Sequence, residues 1–134
     1  MVKGEITYRV CYADTDKMGY MYYGHYPRLY EMARVELFRQ LNVSYKELED
    51  NGIGMPVLEN FSKYYQPALY DDLLRIEVII HQMPSLRIQF DYKVYNQSNQ
   101  LLNEGYTLLV FMNYETRKPI RLPDKVSNAV GKFF

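Results

Sequence analysis

Only one long stretch of this chain repeats with a helical period, and nearly everything around it alternates in twos. Around Pro27–Leu41, the residues Tyr26, Tyr30, Ala33, Leu37 and Leu41 fall on one stripe, with Arg28, Glu31, Glu36 and Arg39 opposite. Pro27 suits the first helical turn, where its missing N–H leaves no bond unmade. Met32, Val35 and Phe38 lie among or beside the charges, so more than one helix face is expected to be covered. A single amphipathic helix must bury its stripe against another layer, and here the remaining material is strand-like.

The strand signals are regular. Ile6, Tyr8, Val10 and Tyr12 alternate with Glu5, Thr7 and Arg9, which predicts a half-buried strand over residues 5–12. After the helix, Val43–Gly52 reads as a short second helix, with Ser44 and Glu47 as a capping box and Gly52 as a stop. Met55–Leu69 is strand-like up to an interruption at Pro67. Leu74, Ile76, Val78 and Ile80 alternate with Arg75, Glu77 and His81, and Leu86, Ile88, Phe90, Tyr92 and Val94 alternate with Arg87, Gln89, Asp91 and Lys93. Asn96–Gln100 is a polar hairpin loop, and Tyr106–Phe111 is apolar on both faces, as an interior strand should be. Arg117–Asp124 is a loop leading to a short helix capped by Asp124. One strand, one long helix and about four further antiparallel strands predict an α+β layer architecture in a single domain over residues 1–134.

Charge and cysteine content narrow the function. Lys plus Arg and Asp plus Glu are both 16, so no electrostatic footprint for nucleic acid exists, and none is expected as a partner. Cys11 is the only cysteine, so it has no partner for an internal disulfide and is read as a buried, inert thiol. The first residues lack the apolar core of a signal peptide and no run is long enough to span a bilayer; the expected location is cytoplasmic. His25, His81 and the scattered acids give no metal-ligand spacing, and no metal or separate cofactor is expected. His81 itself is read as a sheet histidine. The 15 tyrosines point to a β-rich core and an oligomer interface rather than a dedicated aromatic cage.

One motif carries chemistry. Asp14-Thr15-Asp16-x-x-Gly19 is followed by Tyr22-Tyr23-Gly24-His25-Tyr26 and then the helix. Later come Tyr65-x-Pro67-Ala68-x-Tyr70-Asp71-Asp72-x-Leu74-x-Ile76 and Ser85-x-x-Ile88-x-Phe90-x-Tyr92. In this order the chain resembles, from Ile6 to about Asp124, the 4-hydroxybenzoyl-CoA thioesterase-like branch of the hotdog acyl-CoA thioesterases. The resemblance implies a hotdog fold, one long helix wrapped by a five-stranded antiparallel sheet. It implies hydrolysis of an acyl or aroyl thioester to free acid and CoA, with CoA part of the substrate.

The resemblance also implies roles. Asp16 is the nucleophile or general base, and the backbone N–H of Tyr23 polarises the carbonyl, with Gly24 as the alternative donor. Thioester hydrolysis needs a nucleophile or base at the carbonyl carbon and donors aimed at the developing oxyanion, and a helix start supplies free N–H groups. Read alone, an aspartate in a turn is a capping residue; the order of motif and helix favours the catalytic reading. Asp14 is read as fixing the turn or contacting the helix start, with a shared-proton carboxylate pair as the alternative. Gly19, Tyr22, His25, Ser85 and Arg87 are the substrate-binding candidates, and Met21 joins Tyr22 in an expected apolar acyl pocket. His25 stands where the family usually has Asn or Ser, and the basic run some members carry near Ser85 is missing. Glu31 and Glu36 are secondary acid candidates, and Arg117, Lys118 and Arg121 form the one cationic cluster.

Rival readings keep the thioester and change the act: an acyl-carrier-protein thioesterase, a hotdog dehydratase, or a non-catalytic acyl-thioester binding module. Dehydratases of this kind use a His–acid pair, which the spacing of His25 and His81 does not offer. A homodimer or homotetramer is expected, because one helix covers one face of the sheet and leaves its edges open.

Overall fold

The computed structural model describes residues 1–134. Strand β1 spans Val2–Arg9, and helix α1 spans Tyr26–Gln40 after two single-turn 3-10 helices, Tyr12–Asp14 and Tyr23–His25. Helix α2 covers Tyr45–Asp50 and a two-residue strand β2 covers Ile53–Gly54. Four longer strands follow: β3 Val57–Tyr64, β4 Leu73–Ile80, β5 Arg87–Tyr95 and β6 Leu101–Val110. Strand β7, Met112–Asn113, pairs with β2, and α3, Asp124–Gly131, closes the chain.

The five long strands form one antiparallel sheet in the order β1-β4-β5-β6-β3. Period-two alternation decides which face each side chain takes. Leu74, Ile76, Val78 and Ile80 of β4 and Ile88, Phe90, Tyr92 and Val94 of β5 are buried on the side that faces α1. Helix α1 presents Tyr26, Leu29, Tyr30, Ala33, Leu37 and Phe38 to them, and Tyr30 lies flat on Tyr92 with ring centroids 4.0 Å apart. The result is a mixed α+β fold built around one long helix. No helix is long and apolar enough to cross a membrane.

Several expectations change at their edges. The first strand ends at Arg9 and its alternation runs on only to the buried Val10; the 3-10 turn then leaves Tyr12 78% exposed instead of facing inward. Cys11 is exposed, not buried, because it opens the 3-10 turn that follows. Phe38 sits fully buried against Phe90 and Tyr45, so α1 shows less apolar surface to solvent than its sequence suggested. Ser44 caps α2 by accepting the Glu47 N–H, as expected, whereas Asp124 lies in the first turn of α3 with Pro123 as its cap. His81 falls just beyond the end of β4, exposed, with its Nε2 3.7 Å from an Asp91 carboxylate oxygen.

Candidate active site

The segment between β1 and α1 folds back on itself around Asp16. The Asp16 N–H donates to the Tyr20 carbonyl at 2.8 Å, and the Gly19 N–H donates to the Asp16 carbonyl at 3.0 Å. Gly19 has φ +77°, a left-handed conformation that other residues adopt only at a cost. The Met21 N–H then donates to the Ala68 carbonyl at 2.7 Å, which fastens the turn to the strand-like segment before β4.

This geometry frees one oxygen of the carboxylate. Asp16 Oδ1 accepts the Met18 N–H at 2.9 Å and the Tyr20 N–H at 3.4 Å, while Oδ2 has no partner in the protein. The side chain opens on a cleft of about 290 Å³ walled by Met18, Tyr20, Met21, Tyr23, Tyr26 and Tyr64, with Tyr65–Ala68 closing it. The lining is mainly apolar and aromatic, as a site for an acyl group requires. Tyr26 is buried there, and burial together with Tyr64 pushes its phenol up to about 12, so it stays a neutral donor at neutral pH.

Tyr23 borders the same cleft at the 3-10 turn that leads into α1. Neither the Tyr23 nor the Gly24 N–H donates to any group of the protein, as expected of the first N–H groups of a helical segment. Gly24 does not line the cleft, nor do Gly19, Tyr22 and His25. The Tyr22 ring turns away to pack against the rings of Tyr23 and His25, with centroids 4.8 and 5.8 Å from its own. Met21 faces the cleft as expected and Tyr22 does not.

Asp14 is engaged elsewhere. Its carboxylate accepts the Tyr8 hydroxyl at 2.6 Å and the Cys11 N–H at 2.8 Å, with the Arg28 guanidinium of α1 at 3.5 Å. Its carbonyl accepts the Tyr22 N–H at 2.8 Å. One residue therefore ties β1, the motif turn and the start of α1 together. Burial works to raise the Asp14 pKa, but the Tyr8 and Cys11 hydrogen bonds, with His25 and Arg28 nearby, hold the carboxyl below its ordinary range. The unfolded chain thus binds that proton more tightly than the folded one. Stability from Asp14 is complete above the ordinary aspartate value of about 3.9 and is lost as pH falls through the lower folded value. Urea midpoints of wild type and Asp14→Asn, plotted against pH, should converge as the pH drops below about 4. Parallel curves would mean that the charge of Asp14 does not stabilise the fold.

Ser85 and Arg87 are not brought to this cleft within one chain. They line a separate depression with His81, Gln82, Met83 and Asp91, which shares no residue with the walls around Asp16. Sequence spacing gave no hint that Asp91 would face His81 there. Arg117, Lys118 and Arg121 are exposed on the loop after β7 and belong to neither cavity. Glu31 and Glu36 stand on the solvent side of α1, away from the Asp16 cleft.

The profile of the thioesterase-like superfamily matches residues 10–130 of this chain. The acyl-CoA thioester hydrolase YbgC of Escherichia coli is 35% identical over 118 residues, 88% of each chain. The acyl-CoA thioesterase YbgC of Haemophilus influenzae is 28% identical over 90% of this chain and 89% of its own. The crystal structure of a DHNA-CoA thioesterase from Staphylococcus aureus superposes with a TM-score of 0.94 at 29% identity, covering 99% of this chain and 91% of that one.

Proposed function

The chain belongs to the thioesterase-like superfamily and is a thioester hydrolase; from that premise we propose that it cleaves acyl- or aroyl-CoA to the free acid and CoA, at the Asp16 cleft of a hotdog fold. The observation that carries the proposal is the pairing at one apolar cleft of a carboxylate oxygen without a partner and a helix-start residue whose N–H is also free.

Asp16 Oδ2 acts in one of two ways. As a general base it takes a proton from water, whose oxygen adds to the thioester carbonyl carbon. As a nucleophile it adds itself, and water then hydrolyses the resulting anhydride. In both, negative charge develops on the carbonyl oxygen and is met by the Tyr23 N–H, with Gly24 the alternative donor, at the positive end of α1. The C–S bond breaks and the sulfur leaves as the CoA thiol once protonated. The test is thiol release over a panel of aliphatic and aromatic acyl-CoAs, with an acyl-carrier-protein thioester as comparison. No release from any acyl-CoA would overturn the reading.

The same reading makes the enzyme an oligomer with shared sites. Strand β3 is the outer strand on one side of the sheet and is exposed on both faces, with Val57, Leu58, Phe61 and Tyr64 each about half exposed. It has no proline or bulky cover to protect it, and such an edge invites a second strand. The separation of Ser85 and Arg87 from Asp16 fits a cleft whose CoA contacts come from another copy. Light scattering should give at least a dimer. Mixing an Asp16 variant with an inactive Arg87 variant should restore activity, because some mixed sites carry both intact residues. A monodisperse, fully active monomer would sink this part.

A further inference from the structure

The Asp16 cleft has an open mouth and a buried floor, and one hydroxyl stands on the floor. Met18, Tyr23 and Tyr64 are exposed at the mouth with the half-buried Asp16 beside them, whereas Met21, Tyr26 and Ala68 are buried. Met21 and Ala68 bring apolar side chains, and the Met21 N–H and the Ala68 carbonyl are bonded to each other. Among these deep residues only Tyr26 carries a polar side-chain atom.

Helix α1 buries two tyrosines one turn apart, and their hydroxyls are treated differently. That of Tyr30 is met by the Asn103 side-chain oxygen and, at 2.9 Å, by Ser62 Oγ. That of Tyr26 has no hydrogen-bond partner in the protein, although the residue is only 3% exposed. Nor is it walled in: the buried side-chain atoms with neither a partner nor access are Arg34 Nε and the Tyr45 hydroxyl, not the Tyr26 hydroxyl. The little surface that Tyr26 keeps therefore includes its oxygen, and it opens on the cleft that the residue lines. Phenols at such depth find partners, and a bare one is costly when the space before it fills with apolar matter.

Depth decides which substrate oxygen can serve. The thioester carbonyl must lie near the mouth for Asp16 and the Tyr23 N–H to reach it, so the acyl body lies deeper, on Met21, Ala68 and Tyr26. A hydrocarbon body would strip the phenol of water and give nothing back. A body with a hydroxyl or keto oxygen would meet it, because a phenol both donates and accepts. The Tyr64 ring stands 5.6 Å from the Tyr26 ring, tilted by 58°, so aromatic surfaces flank the hydroxyl and suit a flat body.

Resting on the thioester hydrolysis proposed above, we infer that Tyr26 is a specificity-determining residue, whose hydroxyl hydrogen-bonds an oxygen on the acyl body and selects oxygenated acyl thioesters over hydrocarbon ones of the same shape.

Benzoyl-CoA and its three monohydroxy isomers are the probes. Thiol release by wild type should favour at least one isomer over benzoyl-CoA about tenfold or more in kcat/KM. Tyr26→Phe should shrink that preference to within about twofold, and should raise kcat/KM for benzoyl-CoA by removing the unmatched hydroxyl. Calorimetry on Asp16→Asn reads the same preference as binding without turnover, and it should vanish in Asp16→Asn/Tyr26→Phe. Tyr26→Phe should also melt no lower than wild type and keep its size in light scattering, since the hydroxyl has no partner to lose. A lower melting point or a smaller particle would show that the hydroxyl is held within the assembly, and would overturn the proposal. So would like rates on all four thioesters, or a preference that survives in Tyr26→Phe. Preferential binding with no thiol release from any acyl-CoA would instead remove the hydrolysis and leave the Tyr26 contact standing.

Discussion

Replacing Asp16 by Asn should abolish thioester hydrolysis while leaving the protein folded. The amide is nearly the same shape as the carboxylate, and its oxygen still accepts the Met18 N–H that Oδ1 accepts at 2.9 Å. The turn held by the Asp16–Tyr20 and Gly19–Asp16 backbone bonds is therefore preserved. What is lost is the free oxygen at the cleft, where the amide presents an NH₂ group that neither attacks a carbonyl nor takes a proton from water. Loss of a nucleophile or base lowers turnover by about a thousandfold or more, or about 4 kcal/mol of barrier. Thiol release measured beside a melting curve and light scattering separates chemistry from folding. A variant that keeps more than about a tenth of wild-type kcat, a difference of only ~1.4 kcal/mol, would remove Asp16 from the mechanism.

The largest effect on stability should come from one hydrogen atom. Gly105 lies in β6 opposite Ser62 of β3 and Tyr92 of β5. A Cβ there would enter the space of the Phe61 carbonyl oxygen and stand 2.7 Å from the Tyr30 hydroxyl. Neither neighbour can step aside cheaply. Phe61 is ladder backbone, and the Tyr30 hydroxyl is held by the Asn103 side-chain oxygen and, at 2.9 Å, by Ser62 Oγ. The Tyr30 ring is pinned flat on Tyr92. Gly105→Ala should lose about 3 kcal/mol, at the upper end for overpacking, and melt about 10 °C lower. Gly131→Ala is the control: the nearest atom to its added methyl is the flexible Met83 Cε at 3.6 Å, and its melting point should hardly move. A Gly105→Ala protein melting within about 2 °C of wild type would show that β3 and β6 separate more easily than their packing implies.

Much of the framework was legible because it depends on local periodicity. The buried stripe of α1 and the inward sets of β4 and β5 follow from spacing alone, and the structure buries them as read except at two ends: Leu86 precedes β5 and is 52% exposed, and Leu41 is half-buried just past α1. The Asp16 turn was legible for another reason: the motif and the helix that follows it carry the family resemblance, which pointed to Asp16 and Tyr23, and both border one cleft. The errors fell where periodicity ends. Tyr12 continued an alternation that the 3-10 turn had already broken, Cys11 was taken as buried although the alternation itself turns it outward, and Tyr22 was taken as a wall of the cleft when its ring packs on its own neighbours.

By itself, then, the sequence determined most of the elements and their buried faces, and through its resemblance pointed to Asp16 beside the start of α1, because each depends on residues near one another along the chain. The tertiary structure alone decided the rest. It set the strand order β1-β4-β5-β6-β3, kept Ser85 and Arg87 out of the Asp16 cleft, and brought Arg34, Tyr45 and Tyr92 together from three elements. In the sequence Arg34 is one more charge on a helix. Its burial appears only when α2 and β5 close over it, since desolvation depends on what surrounds a group in space and not on what precedes it in the chain.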